Sequence, residues 1–169
     1  MRRLRRLGLV EYNNGQQTDG TNVTALWTLT STGTDFTNPS KKWDNVSTAT
    51  ATGSWNWDRS KVTTGDFTGD GKADVGILYD NGQTEDSRNV SALWTFTSTG
   101  SDFTNPSRKW DSGTGSWNAD ASKPAAGDFN GTARPTSACC TATASRTTAA
   151  TARACGSSPP PAPTSPTRP

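Results

Sequence analysis

Apolar and polar residues alternate along two stretches of the chain with a period of two, the pattern of a β-strand with one buried face. The apolar positions are Val23, Ala25, Trp27 and Leu29 in the first stretch and Val90, Ala92, Trp94 and Phe96 in the second. Residues 75–79 form a continuous apolar run, which predicts a short inner strand ended by a turn at Asp80-Asn81-Gly82. Residues 41–43 and 108–110 each follow an Asn-Pro sequence and predict outer strands.

These stretches belong to a long internal repeat. Residues 90–111 repeat residues 23–44 with few changes, 67 positions later, and both copies continue to a Gly-Asp-Phe sequence at 65–67 and 127–129. A period of about 60 to 70 residues with short alternating strands suits one four-stranded sheet per repeat. The sequence therefore predicts an all-β fold, a partial β-propeller of about two blades of antiparallel strands. Residues 1–8 would form an irregular N-terminus and residues 9–131 the two repeats.

Composition and charge exclude several classes of function. The chain has no His, which removes the usual general base, the Ser-His-Asp and Cys-His arrangements, and His-containing zinc sites. All 15 acidic residues lie between Glu11 and Asp128, alongside only nine basic ones, so the repeats are acidic and should repel nucleic acid. The arginines near the start precede too short an apolar segment for a signal peptide, and no membrane span is predicted.

After Gly131 the sequence changes character. Residues 132–169 contain no carboxylate and no aromatic side chain, and are dominated by Ala, Thr, Pro, Arg and Ser. Such a segment cannot bury enough apolar surface to offset chain entropy, so we expect a disordered tail.

The origin of this tail is a third repeat read out of frame. Synonymous codons for residues 132–141, with one base restored before them, regroup to read Asp-Gly-Lys-Ala-Asp-Val-Gly-Val-Leu-Tyr, which matches residues 70–79 except at Ile77. Codons for later positions of the tail regroup in the same way to give the amino-acid sequence of residues 97–107. Cys139, Cys140 and Cys155 would then be products of the frame, and neither metal ligands nor a disulfide pair.

The segment from Asp66 to Asp74 has the spacing of a calcium loop. Oxygen ligands at loop positions 1, 3, 5 and 9, a carbonyl at 7 and a glycine at 6 are the pattern by which such a loop surrounds a hard cation. The candidate ligands are Asp66, Thr68, Asp70 and Asp74 through their side chains and Lys72 through its carbonyl oxygen. The loop lacks the acidic residue at position 12 of an EF-hand, and a solvated acidic turn is the alternative.

The second copy of this loop retains only its beginning. Asp128 and Asn130 stand at positions 1 and 3. Positions 5, 7 and 9 are replaced by Thr132, Arg134 and Thr136, so no second calcium site is expected.

The segment Gly65-Asp-Phe-Thr-Gly-Asp-Gly-Lys-Ala-Asp-Val-Gly-Ile-Leu-Tyr79 resembles the FG-GAP/VCBS-type repeat of integrin alpha-subunit propellers and secreted bacterial proteins. The likeness covers about residues 7–131 and implies β-propeller blades, a structural Ca²⁺ held by the loop ligands, and an extracellular location. Two blades cannot close a ring, so bare outer faces and self-association are expected.

Three functions remain open. The first is a non-catalytic, calcium-binding propeller module that binds extracellular protein or carbohydrate, as in adhesion, or serves as a scaffold. The second is an accessory repeat fragment of a secreted hydrolase whose catalytic domain lies outside this chain, and the third is a fragment without function. We expect no enzyme activity, no catalytic residue and no organic cofactor in these residues, because nothing resembles an activated nucleophile.

The recurring tryptophans fit packing between blades better than sugar stacking. Only Trp57, which is Ala119 in the second copy, is a candidate for an exposed ligand contact.

Overall fold

The computed structural model describes residues 7–47, 52–129 and 138–142. Within them the chain forms β-strands and one short 3-10 turn at Trp57–Arg59, and no α-helix. The strands are β1 (Leu7–Gln16), β2 (Asn22–Thr30), β3 (Ser40–Asp44), β4 (Ser60–Gly65), β5 (Asp74–Gln83), β6 (Asn89–Phe96), β7 (Ser107–Asp111), β8 (Ser122–Ala126) and β9 (Ala138–Ala142).

The strands form antiparallel sheets in chain order. The first sheet is β1-β2-β3, the second is β4-β5-β6-β7, and β8 and β9 form a third, two-stranded sheet. The first two sheets are separate and do not close on themselves. The predicted all-β fold with about two blades of antiparallel strands is therefore confirmed.

The first and second sheets share their register as well as their sequence. The ladder between β2 and β3 slips between Leu26 and Trp27, and the ladder between β6 and β7 slips at the equivalent Leu93 and Trp94. The predicted outer strands are β3 and β7, which lie at the sheet edges. The repeated sequence thus produces a repeated backbone, irregularities included.

Strand β5 is longer than its apolar run. It continues to Gln83, and the sequence Asp80-Asn81-Gly82 forms a bulge in the ladder with β6. Gly82 has φ 90°, a value that glycine adopts without steric strain. The connecting turn follows at residues 84–88, so the predicted turn at Asp80-Asn81-Gly82 is wrong. Residues 80–83 contain no apolar side chain, so no apolar-polar alternation predicts that the strand continues there.

The core lies between the first two sheets. Its buried side chains are Leu26, Trp43, Trp55, Val75, Ile77 and Phe96. Trp43 packs edge to face on Trp55, with ring centroids 5.5 Å apart, and on Phe96, with centroids 5.0 Å apart. Large aromatic side chains contribute most of the apolar area that such small sheets can bury, so the sheets stabilise each other.

The third sheet packs beside the second through β8 and β4. A Cβ atom added at Gly65 would stand 2.8 Å from the Cβ of Ala126, so the two strands approach closely. The Lys61 ammonium donates to the carbonyl oxygens of Ala119, Asp120 and Ser122 at 2.6 to 3.1 Å. Strand β8 follows the second sheet in the same way that β4 follows the first.

Residues 138–142 differ from the predicted tail. They form β9 and pair with β8, whereas no regular structure was expected for residues 132–169. The remaining tail residues lie outside the described part of the chain, as do residues 1–6 of the predicted irregular N-terminus. Leu7 and Gly8, also assigned to that N-terminus, belong to β1. In the part of the chain that the structure describes, no helix has the length and apolar character to cross a membrane.

Candidate functional site

The acidic loop connects the last residue pair of the β4–β5 ladder, Gly65 opposite Asp74. Gly69 and Gly71 have φ values of 77° and 82°, which let the chain reverse within a few residues. The loop also lies against the turn after β6. A Cβ atom added at Gly100 in that turn would stand 3.4 Å from the Cδ atom of Lys72. The loop is therefore held by contacts at its ends and on one side.

Asp66 organises the loop from its first position. Its Oδ1 accepts backbone N–H groups from Gly69 at 2.6 Å and Asp70 at 3.1 Å, and its Oδ2 accepts the N–H of Gly71 at 2.7 Å. Partial burial raises the pKa of this carboxyl, but the three N–H donors together outweigh it and hold the pKa below its usual value. The nearby Asp70 charge acts in the opposite direction, so the two carboxylates lie close enough to repel.

Asp70 is partly neutralised by a lysine within the same loop. The Lys72 ammonium lies 2.5 Å from its Oδ2, and the Lys72 N–H donates to Oδ1 at 2.9 Å. These hydrogen bonds lower the pKa of Asp70. The Thr68 hydroxyl also interacts with Asp70 and lies 3.5 Å from Oδ1 of Asp66. Positive charge therefore already approaches this carboxylate from the side chain of Lys72.

Asp74 is placed differently from the other predicted ligands. It is fully buried, and its oxygens accept backbone N–H groups from Phe67 at 2.9 Å and Ser98 at 2.7 Å. Each carboxylate oxygen has two acceptor sites, so these bonds leave acceptor capacity. The side chain nevertheless links the loop, at Phe67, to the segment after β6, at Ser98, through these two hydrogen bonds.

Three of the five predicted calcium ligands thus lie together, namely Asp66, Thr68 and Asp70. Their carboxylate and hydroxyl oxygens are the donor types that suit Ca²⁺, and the repulsion between two of them favours a cation. The donor set fits calcium on this chemistry. Among the described residues, however, no three acidic or Cys side chains are gathered as a metal-binding group. Asp74 instead accepts backbone N–H groups from Phe67 and Ser98.

The second copy of the loop is described only at its start. Asp128 and Phe129 are exposed, and Asn130, Thr132, Arg134 and Thr136 lie outside the described residues. The expected loss of this site stays a prediction.

Only some of the recurring tryptophans pack between sheets as expected: Trp43, Trp55 and Trp94 do, whereas Trp27 lines a groove on the first sheet. Trp43 and Trp55 are 3% and 5% exposed, and their counterparts Trp110 and Trp117 stack edge to face in the second sheet. Trp57 is 42% exposed, and its indole N–H donates to the Glu11 carbonyl oxygen at 3.1 Å. The ring is therefore fixed at one end and open to solvent.

Sequence reasoning missed one chemically unusual carboxyl. Glu11 lies on β1 opposite Leu26, on the face that packs against the second sheet. Burial raises its pKa to about 7, although hydrogen bonds from Ser60 and Trp55 act in the opposite direction. Its Oε1 is buried without a hydrogen-bond partner among the described residues. The available signal was the alignment of the repeats, which places Glu11 where the second copy has Leu78.

Comparison of this chain with protein-family models, with curated proteins and with solved structures found no match.

Proposed function

We propose that this chain is a non-catalytic section of an FG-GAP/VCBS-type propeller, which uses stacked sheets as a rigid extracellular module for binding protein or carbohydrate. The observation that carries the proposal is the repeated unit of packing. Two sheets of matching register stack through one aromatic core, and β8 begins the next unit beside β4. Repeat arrays that build continuous surfaces in this way commonly serve as binding platforms.

The use of the loop carboxylates supports a structural role for the loop. Asp66 and Asp70 accept backbone N–H groups within the loop, and Asp74 accepts those of Phe67 and Ser98. The pKa values of Asp66 and Asp70 lie below their usual values. A general acid or base near neutral pH needs a pKa raised toward 7, so these two groups are poorly suited to proton transfer.

We further propose that the loop binds one structural Ca²⁺ through the ligands predicted from the sequence: Asp66, Thr68, Asp70, Asp74 and the Lys72 carbonyl. The ion would cancel repulsion between Asp66 and Asp70 where β4 turns into β5. The Lys72 ammonium, which now neutralises Asp70, would give way to it. Affinity on the order of 10⁻⁴ to 10⁻³ M suffices for extracellular modules.

Calcium titration of the full chain tests this site. Calcium that binds only the folded state should stabilise it by about 1.4 kcal/mol at ten times its dissociation constant, and thermal unfolding should shift upward accordingly. Asp70→Asn should abolish the shift. Asp86→Asn is a matched control, because Asp86 is also an exposed turn carboxylate, paired with Arg88 two residues on at 2.6 Å. Asp128→Asn should likewise retain the shift. Equal loss in all three variants, or no calcium effect in the parent, contradicts the proposal.

Ligand binding is tested separately through Trp57. An array of glycans and extracellular matrix proteins should return a ligand whose binding is weakened by Trp57→Ala. Trp57→Phe retains an aromatic face and should bind better than the alanine variant, because stacking needs the ring. No ligand on the array, or one unaffected by Trp57→Ala, argues against a contact at this position.

A further inference from the structure

Each of the first two sheets has two different faces, and one pair of these faces is joined inside the molecule. The tryptophan face of the first sheet consists of Leu26, Trp43 and Trp55. It packs on the receiving face of the second sheet, which consists of Ile77, Tyr79, Trp94 and Phe96. Trp55, for example, lies 4.9 Å from Tyr79 and 5.6 Å from Trp94 between ring centroids.

The second sheet carries a tryptophan face of its own, made of Leu93, Trp110 and Trp117. Its two indoles meet at 5.7 Å and 79°, nearly the geometry of Trp43 and Trp55, which meet at 5.5 Å and 77°. Trp110 and Trp117 are only partly buried. The face is therefore formed as in the first sheet but less completely covered.

The first sheet likewise carries a receiving face. Val10, Tyr12, Trp27 and Leu29 occupy the positions of Ile77, Tyr79, Trp94 and Phe96. With Pro39 they line a mainly apolar groove of about 420 Å³. Val10 is 42% exposed and Tyr12 is 55% exposed, whereas the equivalent Ile77 is fully buried.

We propose that copies of this chain associate head to tail, with the tryptophan face of the second sheet of one copy docked in the receiving groove of the first sheet of the next. The interface inside the molecule is the template, since both partner faces recur at equivalent residues. This goes beyond the proposed function, because the partner is a second copy rather than an extracellular ligand.

The same template pairs β8 of one copy with β1 of the next. In the second sheet β4 pairs with β5, which places Lys61 opposite Leu78. Lys123 holds the Lys61 position on β8, and Glu11 holds the Leu78 position on β1. Lys123 of one copy would thus lie opposite Glu11 of the next, whose Oε1 has no hydrogen-bond partner among the described residues. When Glu11 is ionised, opposite charges at this cross-strand position stabilise the pairing.

Strand β9 occupies this place within the single chain. Ser122 corresponds to Ser60, and Thr141 corresponds to Tyr79 in the out-of-frame repeat. Ser60 lies opposite Tyr79, but Ser122 lies opposite Ala142, so β9 pairs with β8 one residue out of the register of β4 and β5. In the assembly β1 of the next copy takes the place of β9 and gives a four-stranded sheet, β8-β1-β2-β3. The order then equals that of the second sheet.

A head-to-tail contact uses two different surfaces, so it can be tested by complementation. In sedimentation velocity the full chain should exceed its monomer mass of 17.9 kDa increasingly with concentration. Val10→Arg, which blocks the groove, and Trp110→Arg, which blocks the tryptophan face, should each remain monomeric. Mixed in equal amounts they should form a 1:1 dimer, because each variant keeps the surface that the other lacks.

The control is Val62→Arg, which places the same charge at an exposed valine on β4 outside both surfaces. It should associate like the parent. Far-ultraviolet circular dichroism checks folding, and Tyr12→Arg and Trp110→Ala replace either variant that unfolds. A monomeric parent at every concentration, a mixture that stays monomeric, or single variants that associate like the control would each overturn the proposal.

A double-mutant cycle tests the register. Lys123→Gln should weaken association of the parent about tenfold and should have little further effect when Glu11 is already Gln. Additive losses would show that Lys123 and Glu11 do not meet across the interface, and would overturn the β8–β1 pairing.

Discussion

The Oδ1 atom of Asp74 accepts a hydrogen bond from the Ser98 backbone N–H at 2.7 Å, which ties the acidic loop to the turn after β6. Its other oxygen accepts the Phe67 N–H at 2.9 Å, and the side chain is fully buried. Asp74 is thus a structural acceptor, independent of any role as a calcium ligand.

We expect Asp74→Asn to lower the free energy of unfolding by about 1 to 3 kcal/mol in calcium-free buffer. The amide nitrogen cannot accept a hydrogen bond, so one buried N–H group loses its partner. Urea unfolding measures the loss. Asp70→Asn is the control, and because Asp70 forms an exposed, solvent-screened ion pair with Lys72 it should lose much less stability than Asp74→Asn. Equal losses would contradict a fastening role for Asp74.

Stability should fall as pH rises through the range in which Glu11 ionises. Burial raises the folded-state pKa of Glu11 from 4.5 to about 7, with opposing hydrogen bonds from Ser60 and Trp55. The folded state therefore holds this proton more tightly than the unfolded state. The resulting penalty is absent below about pH 4.5 and complete above about pH 7. The chain has no His to obscure this range.

Glu11→Leu restores the residue type of Leu78 and should remove this pH dependence. At pH 7.5 the variant should be more stable than the parent by on the order of 3 kcal/mol, and the difference should shrink toward pH 5. Urea unfolding at both pH values, at protein concentrations where the parent is monomeric, measures it. A pH-independent difference would show that Glu11 does not titrate in this range.

Gly65→Ala should loosen the packing of β8 on β4. The added Cβ would stand 2.8 Å from the Ala126 Cβ, closer than such atoms approach, so a strand must shift. Overpacking of this kind costs about 1 to 3 kcal/mol. Gly8→Ala is the control, because its nearest neighbour would be a Phe36 ring atom at the ordinary distance of 3.6 Å. Thermal unfolding should separate the two variants, and equal melting temperatures would contradict the close approach.

Restoring one base before the codon of Thr132 should turn the tail into a third repeat. We expect the product to read Asp-Gly-Lys-Ala-Asp from that position, to gain β signal in circular dichroism, and to unfold at higher temperature because the second sheet acquires a complete neighbour. Insertion of a whole codon is the control and should change neither property. An early stop codon in the restored frame would contradict an out-of-frame origin.

The sequence by itself determined the fold class, most of the strands and the position of the acidic loop. Period-two alternation and glycine-rich turns act over a few residues, so they can be read locally, and the repeat at 67 residues shows which strands are equivalent. The same local reading missed the end of β5, because Asp80-Asn81-Gly82 is compatible with a turn and with a bulge. Pairing with β6 decided for the bulge.

Only the tertiary structure decided which faces meet and what they bury. The high pKa of Glu11 depends on Trp55 and Ser60, more than 40 residues away in sequence. The orientation of the Asp74 side chain depends on a hydrogen bond from the Ser98 N–H, which the spacing of residues in the loop does not predict. Strand periodicity is set by backbone geometry within one segment, so the strands could be predicted from the sequence. Burial and hydrogen bonding between distant segments are set by packing, so they are known only from the tertiary structure.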